Sequence, residues 1–389
     1  MSPLDWIAAK LDSLEQTGLQ RRRRNVRPLP EGRCQIGEQT LWNFSTNDYL
    51  GLSGDVRLQE AANRAIADSG LGARASPLVS GRTPWHVELE QEIARLKQTS
   101  SALLFPSGYA ANLGTIPALV STDDVVFCDR LNHASLIDGC RLSGARLRVY
   151  PHSDLETLRR ELIKCDADCR RLIVTDSLFS MDGDHAPLPE LAKLAEEFGA
   201  MLLVDEAHAT GIYGAQGGGL LEAAGVQFDG LITMGTLSKA LGAQGGFVAG
   251  SQELIDWLWN SARTQIYSTA LSIPVCAAAT EAIRLVRAEP ERRQRLLDMS
   301  GRLQDDLRAQ GWNIPRNVHG PIIPIIVGDA LQAVTLAARL EENGILVASI
   351  RPPTVPRQSA RLRISLSAVH PTAGVQVLLA KLGELRSLE

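Results

Sequence analysis

The segment LLVDEAHATGIYG, Leu202–Gly214, joins a short apolar run to an acid, an imidazole and two glycines. An unbroken apolar run that ends in polar residues reads as a strand buried on both faces. The same pattern recurs on either side. SALLF (Ser101–Phe105), DVVFC (Asp124–Cys128), RLIVT (Arg171–Thr175), GLITM (Gly230–Met234) and GFVAG (Gly246–Gly250) are further runs of this kind. Between several of them lie amphipathic stretches such as LPELAKLAEEFG, closed by Gly199 at a helix C-cap position. Strands alternating with helices predict an α/β fold, a mainly parallel sheet covered by helices on both faces. Ligands collect beyond the carboxyl ends of such strands, so Asp205 and His208 fall where chemistry is expected.

A chain of 389 residues exceeds one ordinary core and predicts a large domain with a smaller one. The pattern gives a helical arm over 1–45, a large domain over 46–285 and a small α+β domain over 286–389. The second border falls where the apolar text IYSTALSIPVCAAATEAIRLV gives way to the charged ERRQRLLDMSGRLQDDLRAQG. Beyond it PIIPIIVGD, GILVASI and RLRISLSA supply strands. A net charge of −4 offers no basic field to nucleic acid or an anionic membrane. No run reaches the roughly 18 apolar residues of a membrane span. The opening MSPLDWIAAKLDSLEQ reads as an amphipathic helix, not a signal peptide, so a cytoplasmic location is expected. Six scattered cysteines without a CxxC pair are expected to be reduced, buried thiols, with no metal site. The run QRRRRNVRP (Gln20–Pro28) reads either as a solvated linker face or as an arm that reaches an anionic substrate.

The letters DEAH are also a signature of nucleotide hydrolases, whose acid holds Mg²⁺. Such a site needs a GxxxxGK[ST] loop to cradle phosphates, and the dipeptide Gly-Lys occurs nowhere in the chain. A nucleotide-dependent module is therefore the poorest reading. The lysines point elsewhere. Only six accompany 34 arginines, and Lys10, Lys97, Lys164, Lys193 and Lys381 stand in amphipathic helical text, as surface lysines do. Lys239 instead follows a buried run, within TMGTLSKALGAQGG. Desolvation there lowers the pKa of an amine and frees it as a nucleophile, the setting of a Schiff-base lysine. Thr236 and Ser238 add hydroxyls suited to a phosphate, and SGYAANLGT puts Gly108 and Tyr109 at a helix N-terminus. An amine, phosphate donors, an acid and an imidazole at strand ends match the needs of pyridoxal phosphate. Asp205 beside its ring nitrogen would keep the ring an electron sink.

Six segments then occur in a telling order: NDYLGL (Asn47–Leu52), SGYAAN (Ser107–Asn112), DRLNHASL (Asp129–Leu136), SMDGD (Ser180–Asp184), VDEAHATG (Val204–Gly211) and TLSKALG (Thr236–Gly242). Together they resemble the α-oxoamine synthases, pyridoxal phosphate enzymes of the aspartate aminotransferase fold (fold type I), from about Leu4 to the end of the chain. The resemblance implies a decarboxylating acyltransferase that works as a homodimer. IRPPTVP and ARLRISLSAVH, within Ile350–His370, look most like the branch that joins L-alanine to a pimeloyl group on CoA or on acyl carrier protein, in biotin synthesis. Condensation of glycine with an acetyl, succinyl or long-chain acyl thioester is the alternative.

Residue by residue, the resemblance implies that Lys239 binds the cofactor aldehyde and then serves as general base. Asp205 pairs with the ring nitrogen, His208 and Ser180 meet the ring hydroxyl, and His133 stacks on the ring. Gly108, Tyr109, Thr236 and Ser238 surround the phosphate, and Thr269 reaches the phosphate of the other subunit. Asn47 and Arg361 hold the substrate carboxylate, the arginine as a bidentate fork. Arg21 approaches the acyl-donor end, and Thr354 joins the substrate-binding set. Asp176 departs from the family pattern, in which Glu is common, and stays outside the expected site.

Overall fold

The computed structural model describes residues 2–16, 19–21, 23–166 and 168–387. Its central sheet has seven strands, and six of them are the apolar runs read from the sequence. Their order across the sheet is Ser101–Phe105, Gly246–Gly250, Leu231–Thr236, Met201–Asp205, Arg171–Asp176, Val125–Asp129 and Arg146–Tyr150. Gly246–Gly250 runs antiparallel to both of its neighbours, and the other strands share one direction. Val125–Asp129 and Gly246–Gly250 are buried at every position, as strands covered on both faces must be. The mainly parallel α/β reading is borne out. Arg146–Tyr150 has no counterpart in that reading because it lies at the sheet edge. Its RLRVY text is largely exposed, and edge arginines hide the apolar pattern while blocking further strand pairing.

The apolar helix Ile273–Ala288 and the charged helix Pro290–Ala309 meet at Glu289, where Pro290 opens the second helix. Ile322–Gly328, Ala360–Ser365 and Ala348–Ile350 then form an antiparallel sheet, with helices Ala330–Glu342 and Thr372–Arg386 around it. The expectation of a helical arm over 1–45 needs correction. Among the described residues of that segment only Trp6–Gln16 is an α-helix, whereas Val26–Leu29, Arg33–Ile36 and Gln39–Asn43 are antiparallel strands. Gln39–Asn43 also pairs in parallel with Ile345–Leu346. Partners from opposite ends of the chain leave no local trace in sequence. All six cysteines are free, but Cys165 and Cys169 are half-buried where full burial was expected.

A close approach joins the large sheet to the C-terminal part. Gly183 has φ 73°, and a Cβ there would lie 2.5 Å from the Ile322 carbonyl oxygen, so the SMDGD turn presses on Ile322–Gly328 through a position only glycine suits. Beside it His152 bridges two acids, with Nδ1 3.1 Å from Asp129 Oδ1 and Nε2 2.8 Å from Asp184 Oδ2. Burial alone would lower the histidine pKa. The two carboxylates outweigh it and push the value up to about 10.

A folded pKa above the unfolded value of about 6.5 means that this triad stabilises fully below that pH. The contribution fades as pH rises toward about 10. His152→Gln should therefore lower unfolding free energy by on the order of 2 kcal/mol at neutral pH. Urea unfolding of both proteins across this range should show the gap closing at alkaline pH. A gap that widens would contradict the triad's charge.

Candidate active site

The parallel register brings the chemistry together. Asp176 and Asp205 are direct partners at the ends of neighbouring strands, and Asp205 in turn pairs with Met234, two residues before Thr236. Asp205 is 3% exposed. Its Oδ1 accepts from the Ala207 N–H at 2.8 Å and its Oδ2 from Asn112 Nδ2 at 2.9 Å. No ion pair to Asp205 exists among the described residues. A buried carboxylate held only by neutral donors retains an unmet demand for a cationic partner. Asn112 stands on the helix Gly108–Leu119, four residues after Gly108, so one helix face carries both. Ser107 caps that helix by accepting the Ala110 N–H at 3.1 Å.

Lys239 follows the strand Leu231–Thr236 in a turn closed by Gly242, at φ 63°. A Cβ on Gly242 would lie 2.4 Å from the Ser53 nitrogen, so this turn is pressed against the NDYLGL segment. The Lys239 amine has no hydrogen bond or ion pair among the described residues. Its pKa falls to about 8 because burial strips its water, against the pull of Asp205 and Asp176. Thr236 Oγ1 and Ser238 Oγ lie 3.2 Å apart, and a Cβ on Gly108 would be 3.4 Å from Thr236 Cβ. The expected phosphate donors thus meet at one place. Tyr109 turns its phenol away to Asp138, which leaves its backbone at the helix start.

His133 caps the helix Ala134–Leu142, and its N–H donates to Asp176 Oδ2 at 2.7 Å. Its ring Nδ1 meets Ser135 Oγ at 2.8 Å, and loss of solvation first, then the Lys239 charge, lowers its pKa against the pull of Asp205. His208 is buried, with Nδ1 2.7 Å from the Tyr49 hydroxyl. Its pKa lies well below the usual range through burial, reinforced by Lys239 and Arg363. Asp176, set aside in the sequence, is buried here with its pKa well raised, by desolvation first and then by Asp205.

The arginines sort differently from expectation. Arg361 is committed to the SMDGD turn, donating to Asp182 Oδ1 at 2.7 Å and to the Met181 carbonyl at 2.8 Å. Arg363, two residues on and on the same strand face, meets Asn47 Oδ1 at 3.3 and 3.4 Å. It also donates through Nε to the Ser180 carbonyl at 2.6 Å. Strand periodicity cannot choose between these two arginines, and Asn47 comes from the other end of the chain. Arg21 and Thr354 line one groove of about 580 Å³, with Leu11, Leu14, Leu19, Ile350 and Arg351. Thr269 is exposed, in a stretch anchored by the Ala270 N–H on the Ala75 carbonyl at 3.0 Å. A larger groove, about 620 Å³ beside Trp259, takes in the amino end of Ser101–Phe105, away from these groups. Size does not mark the site.

The sequence model of the aminotransferase class I and II family matches residues 39–382. This chain is a member of that family. The α-oxoamine synthase resemblance agrees with it. An 8-amino-7-oxononanoate synthase of Anaeromyxobacter sp. (strain K) is 48% identical over 379 residues, covering 97% of this chain and 95% of the relative. A solved 8-amino-7-oxononanoate synthase of Francisella tularensis matches with TM-score 0.77 and 31% identity, over 89% of this chain and 97% of that one. A serine palmitoyltransferase from S. paucimobilis, with a bound PLP–myriocin adduct, matches with TM-score 0.93 and 29% identity, over 99% and 98%.

In this aminotransferase-family chain the acid next to Asp205 has a separate task. Glu206 Oε2 takes Lys97 Nζ at 2.8 Å, and Lys97 also donates to Thr210 Oγ1 at 2.7 Å. Lys97, read as a surface lysine, is a buried one, its side chain 2% exposed. Its helical text, PWHVELEQEIARLK, looks amphipathic, but both faces of that helix carry buried residues. Removing one partner of a buried pair strands the other charge, so Lys97→Met should cost about 3–5 kcal/mol of stability. Lys239→Ala, which removes an unpaired and desolvated amine, should cost less than about 1 kcal/mol. Urea unfolding of the cofactor-free proteins compares the two, and equal losses would refute this division of roles.

Proposed function

We infer that the chain condenses L-alanine with a pimeloyl thioester, the 8-amino-7-oxononanoate synthase reaction of biotin biosynthesis, with pyridoxal phosphate as cofactor. The balance is alanine plus thioester giving the amino ketone acid, CO₂ and the free thiol. The observation that carries the reading is Lys239, an unpaired amine with its pKa lowered to about 8, in the field of Asp205 and Asp176. The donor set fits the cofactor. Asp205 lacks a cation, which a protonated pyridine nitrogen supplies, and Thr236, Ser238 and the helix start at Gly108 suit a phosphate. When bound, the cofactor gives the alanine Cα electrons a place to go as its proton leaves.

The remaining steps belong to the chain's own residues. Lys239 Nζ, in its neutral form, accepts the Cα proton and later returns one. Asp205 would hold the ring nitrogen of the cofactor and so support that transfer electrostatically. His133 would offer its ring as a stacking surface, and His208 with Ser180 would serve the cofactor hydroxyl. Arg363 and Asn47 bind the alanine carboxylate, because Arg361 is spent on Asp182. The groove of Leu11, Leu14, Leu19 and Ile350 suits the pimeloyl methylenes, with Arg21 and Thr354 available to its far carboxylate. The protein acts as a cytoplasmic homodimer in which Thr269 completes the phosphate site of the other subunit. No helix among the described residues is long and apolar enough to cross a membrane. Glycine condensation is the rival within the same family, and no contact in the site favours it.

Borohydride reduction of the yellow protein should fix the cofactor on the peptide containing Lys239, and Lys239→Ala should abolish turnover. Modification of any other lysine would defeat the assignment. Supplying alanine or glycine with pimeloyl, acetyl and succinyl thioesters, on CoA and on acyl carrier protein, tests the substrates. Preference for glycine would overturn the alanine reading. Arg363→Lys should raise the alanine KM roughly ten- to hundred-fold, since a fork becomes a point charge. The same change at Arg361 should raise it less than about threefold.

A further inference from the structure

Of the motifs read in sequence, NDYLGL carries a phenol still without a task, that of Tyr49. Tyr49 is fully buried and its hydroxyl has three polar neighbours. His208 Nδ1 lies 2.7 Å away, Asn47 Oδ1 3.2 Å, and Arg363 Nη2 3.3 Å. Proton positions decide what each can offer. A guanidinium only donates, so the Tyr49 oxygen accepts from Arg363 and its single proton must go to Asn47 or His208. Asn47 Oδ1 is the more distant acceptor and already receives both terminal nitrogens of Arg363. His208 Nδ1 is the nearer and lacks any other partner.

Burial, with the nearby Lys239 and Arg363 charges, keeps the His208 imidazole neutral. A neutral ring that accepts at Nδ1 carries its proton at Nε2. Nε2 has no protein partner among the described residues, so a donor is left over for a ligand. Were the hydrogen bond reversed, Nε2 would be a bare acceptor and would repel a phenolate oxygen. A single hydroxyl thus selects between two opposite chemistries at one nitrogen.

We propose that Tyr49 is a positioning residue whose hydroxyl holds His208 as the Nε2–H tautomer and ties that donor to the Asn47–Arg363 pair. The proposal rests on the reading of the cleft as a site for pyridoxal phosphate and an amino acid. Through Arg363, the group that receives the substrate carboxylate and the group that faces the cofactor hydroxyl share one hydrogen-bond chain. Asp205 accepts instead from Ala207 and Asn112 and is not part of this chain.

The test uses the holoenzyme. NMR of protein carrying isotope-labelled histidine, with the His208 signals assigned by their loss in His208→Gln, should give a protonated Nε2 and an unprotonated Nδ1. The opposite tautomer overturns the proposal, and so does a doubly protonated ring. Tyr49→Phe removes only the hydroxyl. It should alter the ratio of the bound cofactor's visible and near-ultraviolet bands and weaken cofactor retention by roughly three- to tenfold. In the His208→Gln background the same substitution should change neither quantity by more than about twofold. Equal effects in both backgrounds would make Tyr49 a packing residue and sink the idea. A parent protein with no visible band would defeat the cofactor reading instead, and the labelled-histidine spectrum would still decide the tautomer.

Discussion

Asp205 is a carboxylate at the end of a buried strand, held by an amide side chain and a backbone N–H, and paired with no basic side chain among the described residues. A carboxylate so placed has given up water without full compensation, an arrangement that gathers at functional sites. The rest of the cleft is arranged around that imbalance. The parallel register sets Asp176 alongside, and burial first, then the neighbouring Asp205, pushes the pKa of this second acid well up. Lys239 sits in the field of both, with its amine neither buried in a pair nor released to solvent. Compensating Asp205 internally, as Lys97 compensates Glu206 one residue later, would leave no site.

That contrast divides the DEAH text into two halves. Asp205 and His208 face the cleft, whereas Glu206 caps the helix Leu220–Ala224 through the Leu221 N–H at 2.9 Å and holds Lys97 under the sheet. A motif of four letters therefore combines a chemical pair with a structural acid. The geometry of a strand end explains it, because successive side chains there leave the sheet on opposite sides.

The two arginines of the strand Ala360–Ser365 make the same point between the C-terminal sheet and the SMDGD turn. Both lean on the SMDGD turn, Arg361 through Asp182 and Arg363 through the Ser180 carbonyl. Gly183 allows that turn to approach Ile322 closely. Arg361 fastens the turn, while Arg363 keeps part of its fork for Asn47 and Tyr49. Which arginine serves a ligand depends on which has already been neutralised by the protein.

Much of this was legible in the residues. Buried strands announce themselves as apolar runs, and chemistry gathers at their carboxyl ends. That points to Lys239, Asp205, His208 and the Thr236–Ser238 pair as neighbours, while His133 is legible only through the family resemblance. The helix start at Gly108 was readable for the same local reason. Other features were not readable. The N-terminal strands pair with Ile345–Leu346, the edge strand Arg146–Tyr150 is masked by its arginines, and Lys97 hides in an apparently amphipathic helix. Asn112, Tyr49 and Arg363 owe their roles to partners far away in the chain. The sequence by itself determined which strand ends carry reactive groups, because hydrophobic periodicity is a local property. Only the tertiary structure decided which of those groups are already paired and which remain free to act, because pairing depends on contacts between distant segments.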